Sequence, residues 1–173
     1  MLIFLLLSTT VFAETNKAEI PLPLVNNVKK LSELLMDAHA SVTIEPATIE
    51  RIDLKPNQST YLILFIVESY LGGNSWTQYL AAFDLVKGED GKPDSYPLID
   101  FIPIGGTGCR IVQKLNPNAA TIRDNGEKVF RLDVLENTES DNPNHPTRTA
   151  QLDVFLKSGR FTHSNQLCYG PWH

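Results

Sequence analysis

Apolar side chains recur at Leu24, Val28, Leu31, Leu35 and Ala38, three or four residues apart, which sets them on one stripe of a helix. Pro23 suits the first turn of such a helix, where its missing N–H is not needed. Leu34 and Met36 widen the stripe, so the amphipathic face is expected to pack on a sheet. From Ser41 the pattern changes to short segments separated by turn residues. Residues 41–44 alternate loosely as a strand, and residues 46–54 fit either a helical turn or a strand. Residues 61–67 are apolar at every position and rich in β-branched and aromatic side chains, which predicts a central strand buried on both faces. Gly72, Gly73, Asn74 and Ser75 turn the chain into a strand over 77–85, and Asp90 with Gly91 turns it again into 97–104.

The second half repeats this habit. Residues 110–115 form a strand before the Asn116, Pro117, Asn118 turn, and residues 120–123 lead into Asn125–Gly126, a strong hairpin signal. In the strand that follows, Phe130, Leu132 and Val134 alternate with Arg131 and Asp133, so one face meets water. Leu152, Val154 and Leu156 do the same in the next strand, which Ser158 and Gly159 turn into a last strand over 160–162. Between these two, residues 136–149 are polar, carry two prolines and read as a long surface loop. Asp84, Asp100 and Asp133 are expected to point outward from a half-wet sheet. One helix followed by strands with hairpin-length connections predicts an α+β domain, an N-terminal amphipathic helix packed on an antiparallel β-meander sheet.

The segment before the helix changes the picture from fold to address. Residues 1–7 are apolar, residues 8–10 small and polar, and Val11, Phe12 and Ala13 form the small-x-small pattern of a signal-peptidase site. The run is far shorter than the roughly 20 apolar residues of a membrane-spanning helix. The expectation is a signal peptide over 1–13 and a single exported domain over 14–173, periplasmic or secreted. Acidic residues outnumber basic ones by 20 to 15, and no basic cluster exceeds Lys29 with Lys30, which argues against nucleic acid and against a membrane surface after signal cleavage. The two cysteines, Cys109 and Cys168, read as one disulfide in an oxidising compartment, closing a loop of about 60 residues for on the order of 4 kcal/mol.

From about Arg51 to Phe161 the chain carries an apolar strand over 61–68, the Gly72–Gly73 turn, Tyr79-Leu80-Ala81, Gly91-Lys92-Pro93, Asp141-Asn142-Pro143 and Gly159-Arg160-Phe161. In that order these elements resemble a group of uncharacterised secreted or lipid-anchored bacterial β-meander proteins. The resemblance implies the fold and no activity. Lys55, Pro56, Asn57 and Gln58 stand where that group often has an Asp-rich loop, so a calcium site there is not implied, and Ile104, Gly105 and Gly106 replace a more polar turn.

The search for chemistry is mostly negative. Gly105-Gly106-Thr107-Gly108 lacks the Lys-Ser/Thr ending and the strand-to-helix context of a phosphate cradle and reads as a turn. No nucleophile elbow, zincin pair or EF-hand loop is present, no cofactor is implied, and neither metal nor catalytic residues are assigned. The leading expectation is a non-catalytic exported domain that binds another envelope protein or a ligand, of inhibitor or immunity type. Its surface would be the loop carrying His145 with the tail aromatics Tyr169 and Trp172, since exposed aromatics serve as anchors. The alternatives are an envelope hydrolase or metal-dependent enzyme in which His145, His163 and Asp141 converge, and a structural envelope component. Oligomeric state is left open.

Overall fold

A computed structural model describes residues 20–36, 41–43, 49–55, 58–68, 75–115 and 120–163. The first element is the helix α1 (Leu22–Leu35), which opens with Pro23 in its first turn and turns its Leu24, Val28 and Leu31 side chains inward. Among the described residues ten strands follow: β1 (Ser41–Thr43), β2 (Ile49–Lys55), β3 (Gln58–Glu68), β4 (Trp76–Asp84), β5 (Leu98–Gly106), β6 (Arg110–Lys114), β7 (Ala120–Ile122), β8 (Lys128–Glu136), β9 (Arg148–Lys157) and β10 (Arg160–His163). The ambiguous stretch over 46–54 thus supplies a strand, because β2 pairs with β3 from Ile49 opposite Ile63 to Lys55 opposite Gln58.

Among the described residues all the pairings are antiparallel and join strands that are consecutive or one apart along the chain. β1 and β2 lie one after the other along the same edge of β3, and β6 and β7 do likewise along β8. The route is therefore an up-and-down meander. It folds over between β5 and β6, which pair only at Gly106 opposite Arg110. The fold brings the inner faces of the two halves together: Ile52, Leu62, Leu64, Leu80 and Ala82 from the first half meet Phe130, Leu132, Val134, Leu152, Val154 and Phe161 from the second.

The first half is covered on its other face as well. Tyr61, Ile63, Phe65, Ala81 and Phe83 form a second buried cluster with Leu24, Val28 and Leu31 of α1, and Asn27 Nδ2 donates to the Tyr96 carbonyl at 2.8 Å. This is why β3 alternates between two cores and has no polar position over 61–67. Leu34 does not widen the buried stripe as its spacing suggests: it is 83 % exposed, and Leu35 is the residue that meets the sheet. Ala38 lies outside the described residues. In the second half Arg131 and Asp133 point to water while their neighbours are buried, as the alternation predicts.

Turn chemistry accounts for the tight connections. Asp90 and Gly91 both take positive φ (53° and 78°) at the tip between β4 and β5, and Ser158 and Gly159 (50° and 73°) do so between β9 and β10. Two strand carboxylates depart from the expected outward orientation. Asp100 accepts the Phe161 N–H at 2.7 Å across the seam between the halves, and Asp84 accepts the buried Thr60 hydroxyl at 2.9 Å from the strand beside it.

Candidate binding surface

The start of β4, the β5–β6 turn and the β8–β9 loop meet at one end of the folded-over sheet. The corner is built by Gln78, buried on β4 and facing Gly105. Its Oε1 accepts the Val112 N–H at 2.7 Å and its Nε2 donates to the Val112 carbonyl at 3.1 Å, so a side-chain amide supplies β6 with the bonds a strand would give. Glycine is required opposite: a Cβ on Gly105 would lie 2.5 Å from the Arg110 carbonyl oxygen, and one on Gly106 2.9 Å from that of Trp76. The Gly105-Gly106-Thr107-Gly108 segment thus belongs to a strand–turn–strand connection. Its first two glycines permit close backbone approach, and Gly108, at φ 75°, makes the turn.

Beside this corner Trp76 and Thr107 are cross-bonded, the Trp76 N–H donating to Thr107 Oγ1 at 2.9 Å and the Thr107 N–H to the Trp76 carbonyl at 3.1 Å. The loop over 137–147 is then strapped onto them. Gly108 N–H donates to the Pro143 carbonyl and Asn137 N–H to that of Cys109, both at 2.7 Å, while the Trp76 indole N–H reaches Asn144 Oδ1 at 3.2 Å. Inside the loop, Asp141 Oδ2 accepts the N–H groups of Thr138 (2.8 Å) and Thr147 (3.1 Å) and Oδ1 accepts the Thr147 hydroxyl (2.9 Å). These bonds, the Thr138 N–H foremost, hold the Asp141 carboxyl below the usual aspartate range. At its base Glu136 stands between buried Arg110, 3.9 Å away, and Arg148 at 2.7 Å.

His145 is exposed at this surface and its N–H donates to the Asn142 carbonyl at 2.8 Å. Tyr169, Trp172 and Cys168 lie outside the described residues; Cys109 sits half-buried in the β5–β6 turn. The three residues suggested for a hydrolytic or metal centre do not form a constellation. Asp141 spends both oxygens on the loop, and His163 stands on β10 opposite Val154, well along β9 from the loop. Among the described residues no group of three or more His, Cys, Asp or Glu side chains converges to hold a metal.

Trp76, Gln78 and Arg110 shape this surface without being singled out by sequence pattern. Gln78 had a signal: it is the one amide in an otherwise apolar and aromatic strand core. With this geometry in place, comparison with known proteins adds no relative: neither a protein-family model, nor a curated protein, nor a solved structure matches the chain.

Proposed function

We propose that this is an exported, non-catalytic domain that binds another envelope protein, of inhibitor or immunity type, through the surface formed by residues 137–147, Trp76 and the 107–109 turn. The observation that carries this reading is the closure of a polar loop by Asp141, Pro143 and Asn144 onto rigid strands. A loop already ordered before contact loses little conformational freedom on binding, and loops held by a rigid scaffold are where recognition concentrates. Trp76, half-buried with its indole N–H satisfied, is the aromatic anchor at the centre, and His145 is displayed beside it.

Residues 1–13 direct export to the periplasm or beyond, residues 14–173 form the single mature domain, and α1 serves it as an amphipathic N-terminal helix docked on the meander. A Cys109–Cys168 disulfide is part of the same reading, supported by the fact that among the described residues no cysteine is free. The bridge would carry the adjoining Tyr169 and Trp172 to the same surface. A photoreactive residue at position 145 should capture one partner in the intact envelope, and the same group at position 153, on the wet face of β9 beside Arg131, should not. Equal capture at both positions, or at neither, overturns the assignment. Sequencing of the mature terminus should give Glu14 as its first residue.

A further inference from the structure

The tip between β7 and β8 lies at the opposite end of β8 from the candidate binding surface, whose loop leaves that strand after Glu136. It carries the one Asn-Gly pair of the sequence, Asn125-Gly126, and both residues are exposed. The Asn125 side-chain carbonyl accepts the Glu127 N–H at 3.0 Å, which draws electron density from its Cγ. Gly126 follows at φ 78° with open space where a side chain would stand, so no bulk shields its nitrogen. Asn142 is an internal control: its Oδ1 accepts the Asn144 N–H at 3.0 Å in the same kind of turn, but Pro143 follows it and has no N–H to lose. Of the other described asparagines, Asn26 and Asn27 are held in α1, and Asn137 and Asn144 precede Thr138 and His145, whose side chains crowd the nitrogen.

We propose that Asn125 is a site of spontaneous backbone modification, paced by Arg123. The Gly126 nitrogen gives its proton to hydroxide and attacks Asn125 Cγ; the new C–N bond closes a succinimide ring, the Cγ–Nδ2 bond breaks, and the nitrogen leaves as ammonia with a proton from water. Water then opens the ring. Attack at the former side-chain carbonyl gives aspartate, and attack at the main-chain carbonyl gives isoaspartate, whose main chain is longer by one carbon. No reactant other than water is consumed. In the closed tip the Gly126 N–H donates to the Arg123 carbonyl and the Arg123 N–H to the Glu127 carbonyl, both at 2.9 Å, so the tip opens before the nitrogen reacts. The Arg123 side chain resists that opening: its Nη1 meets Glu127 Oε2 at 2.8 Å, and its guanidinium carbon lies 4.9 Å from the centre of the Phe155 ring. Isoaspartate undoes the hold, because the added carbon displaces both backbone bonds and frees β7, which only three residue pairs join to β8.

The test ages the full-length protein in mildly alkaline buffer and maps it by peptide mass and by enzymatic methylation of isoaspartate. Asn125 should convert at least about tenfold faster than Asn142 or Asn144, with ammonia released in step. Equal conversion at the three positions overturns the proposal, as does an intact Asn125 over a period in which the same chain unfolded in urea has converted. Arg123→Ala, shown by urea titration to remain folded, should speed the reaction roughly threefold, the effect on tip opening of losing an exposed ion pair and a cation–π contact. An unchanged rate removes Arg123 as the pacing residue. The isoaspartate form, separated by chromatography, should exchange its Arg123 and Gly126 amides about tenfold faster than fresh protein, with Leu132 and Val134 unchanged. Equal exchange at Arg123 and Gly126 overturns the release of β7.

Discussion

The two halves of the sheet are built from the same kind of hairpin and differ in what lies on their outer faces. β3 and β4 are buried on both sides, between the second half and α1, and their sequences are nearly continuous runs of apolar side chains. β8 and β9 are buried on one side, and Arg131 pairs with Asp153 at 2.8 and 3.0 Å across their wet face. The lesson is that continuity of apolar residues reports the number of covering layers, while alternation reports a single one. Tolerance to substitution should divide the same way.

The largest effect is expected in the doubly covered half. Phe65, almost wholly buried and stacked on Tyr79 at 5.5 Å, has no solvent route, so Phe65→Asp should abolish cooperative folding, a loss above about 4 kcal/mol in urea titration. Folding of this variant at near wild-type stability would break the comparison at its root. The corner between the halves comes next. Gln78→Leu strands the buried N–H and carbonyl of Val112, at about 1–3 kcal/mol for each group, and should appear as a lowered urea midpoint together with faster exchange at the β5–β6 turn. Loss confined to one of these readouts would mean that the corner is not what joins the halves. On the wet face, Asp133→Asn should change stability by no more than about 0.5 kcal/mol, and a larger loss would show that face to be covered in solution.

The smallest effect is a titration. Asp141 is held below its ordinary range by N–H donors of the folded loop, so its contribution is fully present at neutral pH and is lost only as pH falls through the lowered folded value. The Thr138 and Thr147 amide resonances should move together with a midpoint below 3.8, and Asp141→Asn should abolish that transition. A midpoint at or above the ordinary value would mean that the loop is not closed as described.

Much of the meander was legible because strand periodicity and turn residues are local. The doubly buried β3, the Asp90–Gly91 tip and the alternation of β8 all follow from side chains within a few positions of one another. What escaped was set by distance along the chain. Leu34 flanks the apolar stripe by spacing but stays exposed, because at 3.6 residues per turn it lies well to one side of the line through Leu24, Val28, Leu31 and Leu35. Asp84 and Asp100 look like surface carboxylates until β3 sets the Thr60 hydroxyl opposite Asp84 and the second half brings the Phe161 N–H to Asp100. The candidate surface is half legible: the polar loop with His145 follows from composition, whereas Trp76 and Gln78 gain their roles from partners between 31 and 68 positions away.

The up-and-down route also sets an order of assembly. Each strand pairs with one that follows or precedes it closely, so every pairing closes a local loop, which costs less chain entropy than a long-range one. The bonds that lock the halves span far more chain: 34 residues from Gln78 to Val112, 61 from Asp100 to Phe161 and 68 from Thr60 to Lys128. Two partly formed hairpin arrays should therefore meet in the rate-limiting step, with these bonds closing after the barrier. Weakening the Asp100 or Lys128 seam would then accelerate unfolding and leave the refolding rate nearly unchanged, making those seams the determinants of how long a folded molecule persists.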